Sequence, residues 1–139
     1  MTIDEFCIKA GGQVPWQRGT WYGQFLSLDN TPAGDFKPED IWRVLAVNNT
    51  GGDWDGTGAA VVQLRDKRWV AWESSWGPTG CGFSEDAYGG GANVYFSSTL
   101  EGAILLGLTP DSRNILGLDT ENWSDPEAKL PELELITHD

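Results

Sequence analysis

Residues 60–74 read AVVQLRDKRWVAWES, and the fold follows from this stretch more than from any other. Two runs rich in β-branched and aromatic residues, Ala60–Arg65 and Arg68–Ser74, flank Asp66-Lys67. Such residues suit the pleated surface of a sheet, and a polar dipeptide between two such runs marks a tight hairpin. With Asp66-Lys67 as the turn, Leu64 faces Trp69, Val62 faces Ala71 and Val61 faces Trp72. Side chains alternate across a strand, so Leu64, Val62, Trp69 and Ala71 share one face, the expected core side. Val61, Val70 and Trp72 share the other face with Gln63, Arg65 and Arg68. That face is too apolar to stand wholly in water, which implies a partial cover.

Toward the N-terminus, Thr2 followed by Glu5 forms a capping box and Gly11-Gly12 a stop. They predict a short helix over 3–10 with Ile3, Phe6, Cys7 and Ala10 on one face. A short strand is expected within Trp21–Leu28, and residues 30–35 (NTPAGD) form a turn. Pro38 suits a first helical position, with Glu39 and Asp40 behind it. Ile41, Trp42, Leu45 and Ala46 follow at helical spacing, which predicts a helix over 38–46; Val44–Val47 also fits a strand. Asn48–Gly58 (NNTGGDWDGTG) is expected to be a loop.

Toward the C-terminus, Ser75–Asn93 is a long Gly-rich loop, a type of segment often tied to function. Val94–Ser97 is a third strand. Ser98 with Glu101 caps a helix carrying Leu100, Ala103, Ile104 and Leu108. Thr109-Pro110-Asp111 opens another helix, which Gly117 closes. Asp119–Asp139 then holds seven acids and one base, Lys129, for a net of −6. Leu130, Leu133, Leu135 and Ile136 can pin this segment to the body or to a partner. The expected fold class is α+β: a small antiparallel sheet around the hairpin, with short capped helices on one face and long Gly-rich loops. Residues 1–118 form one domain and 119–139 an acidic tail.

Composition excludes several classes. The 139 residues are 40% hydrophobic and 22% charged, an ordinary balance for a folded chain. Nine Lys and Arg against 21 Asp and Glu leave a net charge of −12. A binder of nucleic-acid phosphates needs clustered bases, so direct nucleic-acid contact is not expected. No run of ~18 apolar residues supports a membrane span. The opening MTIDEFCIKAGG carries acids where a secretion signal carries bases, so no leader is expected. Cys7 and Cys81 lack C-x-x-C spacing and His138 is the single histidine, so no metal and no cofactor is expected. Two reduced thiols fit that picture, and a Cys7–Cys81 disulfide is the alternative.

The segment from Pro38 to about Pro110 resembles a group of small proteins of actinobacteria and their phages. The resemblance rests on PEDIWRVLAV, GGDWDGTG, LRDKRWVAWES, GPTGCGF and STLEGAILLGL. Lys67 stands where such hairpins usually turn on Gly, and Cys81-Gly82-Phe83 where relatives often carry Trp-Asp-Cys. The resemblance implies a phage or bacterial cytoplasmic origin, and brings no activity with it.

Motif chemistry is sparse. Asp53-Trp54-Asp55-Gly56 fails the calcium-loop pattern at its first and twelfth positions, Gly51 and Val62. Gly77–Gly82 lacks the Lys and Ser/Thr of a nucleotide phosphate loop. A carboxylate pair of Glu73 and Asp86 is formally possible, and no histidine stands near a candidate nucleophile. An enzyme is therefore the lesser expectation.

Eight tryptophans are the oddity. Trp54 and Trp76 sit in Gly-rich loops without an apolar stripe, where they either fold back onto the body or anchor an interface. The expected function is a small acidic protein-binding module of the inhibitor or immunity type. It would act on a basic, nucleic-acid-handling protein partner in the cytoplasm. Its candidate binding residues are Trp54, Trp76, Phe83 and Tyr88 with Asp53, Asp55, Glu85 and Asp86. The alternative is a small-ligand site, or an enzyme, walled by the same loops and aromatics together with Tyr95. Plain solubility is the other use for the acidic charge.

Overall fold

The computed structural model describes residues 1–17, 24–27, 30–32, 34–51, 56–77, 80–81, 92–118 and 130–138. For 17, 24–26, 76–77 and 80–81 it describes the backbone alone. The strands are β1 (Gln24–Ser27), β2 (Ile41–Gly51), β3 (Gly56–Leu64), β4 (Trp69–Gly77), β5 (Gly80–Cys81), β6 (Asn93–Ser97) and β7 (Glu134–Leu135). The helices are α1 (Ile3–Lys9), α2 (Leu100–Gly107) and α3 (Pro110–Ile115). One sheet runs β1-β6-β4-β3-β2-β7, with β5 attached to β4. All its pairings are antiparallel except β1 with β6. The chain is thus an α+β fold built around the β3–β4 hairpin.

The hairpin is one residue out of the expected register. Val62 faces Val70, Val61 faces Ala71 and Ala60 faces Trp72. The loop holds Arg65, Asp66 and Lys67, closed by Leu64 N–H donating to Arg68 O at 2.9 Å. Lys67 adopts φ 75°, the left-handed conformation that a three-residue hairpin loop requires at its last position. Asp66 Oδ1 secures the turn by accepting from the Arg68 N–H at 3.1 Å. A one-residue slip exchanges the faces of the partner strand. Val70 and Trp72 therefore join Val62 and Leu64, while Ala71 and Trp69 join Val61.

Both faces are buried. Trp72 lies fully inside the first with Phe6, Phe36, Val94 and Phe96. Its ring meets Phe6 edge-on at 5.7 Å and Trp16 at 6.2 Å, and its Nε1–H donates to Gln13 O at 3.2 Å. The second face packs small residues, Ala59, Ala71, Ala103 and Val61, beneath Ile104, Leu108 and Leu116. Helix α1 covers the first face through Phe6 and Ala10, and α2 and α3 cover the second. The helices thus lie on both faces and not on one; of the residues expected to need a cover, Val61 lies under α2 and α3, while Val70 and Trp72 lie on the first face.

The helix expected over 38–46 is a 3-10 turn, Pro38–Asp40, followed by β2. Bulges at Trp42 and Leu45 interrupt its register to β3. Each bulge adds a residue to one strand, so Ile41, Val44 and Val47 fall on one face at a helix-like spacing of three. The stripe that suggested a helix, Ile41, Trp42, Leu45 and Ala46, is divided by the strand, with Ile41 in the first cluster and Leu45 and Ala46 in the second. The expected loop at 48–58 is accordingly strand up to Gly51 and again from Gly56.

The three helix starts conform to sequence expectation with one shift. Thr2 Oγ1 accepts from the Glu5 N–H and Thr109 Oγ1 from the Ser112 N–H. The α2 cap is Thr99, accepting from the Gly102 N–H, and not Ser98. Gly11, Gly12 and Gly117 take positive φ where α1 and α3 stop.

Candidate functional site

Of the residues singled out in the sequence, Asp53, Trp54, Asp55, Phe83, Glu85, Asp86 and Tyr88 lie outside the described residues. Trp76 is placed by its backbone in β4. Its row is informative: Gly51 pairs with Gly56, Gly56 with Trp76, and Trp76 with Cys81. The roots of both Gly-rich loops therefore stand side by side at one end of the sheet.

Glu73, half of the formally possible carboxylate pair, has a structural occupation. Its Oε2 accepts from the Thr109 N–H at 2.9 Å, the Thr109 hydroxyl at 3.0 Å and the Ser112 hydroxyl at 2.6 Å. It ties β4 to the start of α3. Glu73 also acts on Tyr95, whose phenol is pushed up chiefly by burial and then by this carboxylate.

Cys7 is a free thiol. Burial raises its pKa most, the Asp4 carboxylate raises it further, and a hydrogen bond with Trp16 opposes both. It is therefore no activated nucleophile.

The richest assembly of described side chains is the sheet edge where β7 docks. Leu135 pairs with Arg43 and Glu134 with Val44. Ile136 enters the core, Leu133 packs against the second cluster, and Leu135 stays 60% exposed. Thr2 then pairs in parallel with Thr137, so the residues before α1 lie against those after β7. His138 Nε2 lies 2.9 Å from Ile41 O, which places the proton of a neutral ring on that nitrogen.

Two open depressions flank this edge. The first, about 310 Å³, is lined by Thr2, Asp4, Pro38, Glu39, Thr137 and His138. The second, about 240 Å³, is lined by Val44–Asn48, by Met1 and Lys9, by Ile115 and Leu116, and by Pro131, Glu132 and Glu134. Glu134 pairs with the Met1 amino group at 3.3 Å. Asp4, Glu39 and Glu132 have no ion-pair partner among the described residues. No group of three or more potential metal ligands occurs among the described residues.

Sequence reasoning missed this edge because the helical reading of 38–46 hid β2. The signal available was the tail's apolar residues, of which Leu133 and Ile136 do the pinning.

No family model, curated protein or solved structure matches the chain. No helix among the described residues is long and apolar enough to cross a membrane.

Proposed function

We propose that this chain is a small acidic protein-binding module of the inhibitor or immunity type, acting in a bacterial cytoplasm on a basic, nucleic-acid-handling protein. One observation carries the reading: Asp4, Glu39 and Glu132, all without ion pairs among the described residues, surround two open depressions beside the exposed Leu135. Unpaired rim carboxylates steer a basic partner, and an exposed apolar residue beside them supplies contact area. Three of the described arginines are engaged within the fold. Arg68 pairs with Asp66, Arg65 donates to Glu39 O and Arg43 donates to Gln63 Oε1.

The test is affinity capture of basic proteins from a bacterial lysate by the chain and by a variant carrying Asp4→Lys, Glu39→Lys and Glu132→Lys. Capture lost in the variant and at raised salt supports the reading. Equal capture by both assigns the −12 charge to solubility.

The small-ligand reading draws on a different observation, the row Gly51–Gly56–Trp76–Cys81 that gathers both loop roots at one end. Tryptophan fluorescence titrations with small-molecule sets test it, and a ligand that quenches the native chain but not Trp54→Phe with Trp76→Phe favours it.

A further inference from the structure

Strand β2 is paired with β3 along almost its whole length, from Ile41 to Gly51. On its other side β7 pairs with Arg43 and Val44 alone. Among the described residues no strand pairs with Ala46–Gly51 on that side. This run, AVNNTG, contains no proline and no charged residue. Its register is unbroken from Ala46 opposite Val61 to Gly51 opposite Gly56, so it has no bulge either. Proline, charge and bulges are the usual means by which an edge strand is kept from pairing with another chain. All three are missing here.

The surroundings shape the edge into a slot. Asn49 Nδ2 donates to Lys9 O at 2.9 Å, and Asn48 Nδ2 donates to Ile115 O at 3.1 Å. Consecutive strand side chains thus hold the end of α1 against one face and the end of α3 against the other. The 240 Å³ groove is lined by Lys9, Val44–Asn48, Ile115 and Leu116, and by Pro131, Glu132 and Glu134 from the residues leading into and forming β7.

We infer that a partner protein docks here by adding an extended, Lys- or Arg-bearing segment to β2 along Ala46–Gly51, continuing the pairing that β7 begins. The inference rests on the proposed function and specifies its mode. Main-chain hydrogen bonds to a free edge supply affinity, and side chains on alternate faces supply selectivity. Charge selects the occupant. Glu132 lines the groove without an ion pair among the described residues, and a net charge of −12 attracts a basic segment and repels a second copy of the chain.

The test uses the full chain, isotope-labelled, with a capped peptide of alternating lysine and valine. Two controls accompany it: the same peptide N-methylated at alternate residues in both possible phases, and its glutamate–valine counterpart. Expected are amide shifts and slowed exchange confined to Ala46–Gly51, and binding weakened at least about tenfold in one N-methyl phase, since that phase loses several main-chain bonds, each worth up to about tenfold. The glutamate peptide binds more weakly, and Glu132→Lys narrows the difference between the two peptides. If both N-methyl phases bind like the parent, strand addition is wrong while the acidic-surface reading stands. If the glutamate peptide binds equally well, the edge accepts strands but the basic occupant is wrong. Shifts elsewhere, or no binding by any peptide, overturn the inference. So does protection of Ala46–Gly51 in the free chain: a monomer then covers its own edge, and a dimer in sedimentation makes a second copy the occupant.

Discussion

The two faces of the sheet solve the same packing problem with opposite materials. The Trp72 face is filled by rings. Phe6, Trp16, Phe36 and Phe96 stand 5.7–6.2 Å from one another or from Trp72, mostly edge-to-face. The Trp69 face is filled by closeness: a Cβ added to Gly107 would lie 3.0 Å from Tyr95 Cβ and 3.2 Å from Ala71 Cβ. Aromatic packing distributes contacts over large areas, whereas small-residue packing depends on a helix resting almost on the strands. Damage should therefore differ in kind, from cavities on the first face to overpacking on the second.

The largest expected effect is Trp72→Ala, a loss of about 3–5 kcal/mol from a fully buried aromatic whose Gln13 carbonyl partner is also left unsatisfied. Denaturant unfolding measures it. A loss comparable to that of Trp69→Ala would break the contrast. Next comes Gly107→Val, expected to cost about 1–3 kcal/mol because neither β-strand neighbour is a flexible side-chain end. A neutral result would show that α2 lifts freely. Trp69→Ala follows at about 1–2 kcal/mol, since that ring is half-buried at the margin of the second cluster. Glu73→Gln is smaller again, about 1 kcal/mol. The amide oxygen can still accept at the start of α3, but the charge assistance is gone.

The ranking of the two tryptophans shows where sequence reasoning stopped. The hairpin, the third strand and the Thr2 and Thr109 caps were legible because each has a local cause: residue type, capping hydroxyl, stop glycine. The register was not, because it turns on Lys67 adopting a left-handed conformation that favours glycine. One residue of slip moved Trp72 from the covered face to the ring-filled centre. Strand β2 was hidden for another local reason: it is apolar on both faces and twice bulged, so Ile41 on one face and Leu45 and Ala46 on the other read together as a helical stripe. The β7 edge depended on pairing between residues far apart in the chain, Arg43 with Leu135, which no short window contains. The residues of the proposed loop site lie outside the described residues apart from Trp76, whose backbone pairs with Gly56 and Cys81.

The smallest expected effect sharpens the comparison through pH, because among the described residues each face carries a group whose proton its packing holds more tightly. On the ring-filled face Cys7 is raised above its ordinary 9.0, first by burial and then by Asp4. On the helix-packed face Tyr95 is raised above 10.0, first by burial and then by Glu73. A raised folded-state value means that the native chain holds its proton more tightly than the unfolded chain does. The associated stability is complete below the unfolded value and is lost as pH climbs from that value through the folded one. Stability should therefore begin to fall just above pH 9 through Cys7 and further above pH 10 through Tyr95. Cys7→Ala should remove the first decline and leave the second, and Tyr95→Phe should do the reverse. Thermal unfolding of the three chains across that range is the measurement. Parallel curves for all three would mean that neither face holds its acid out of water strongly enough to matter. The two packings would then be equivalent where alkaline titration is concerned, however differently they respond to a cavity.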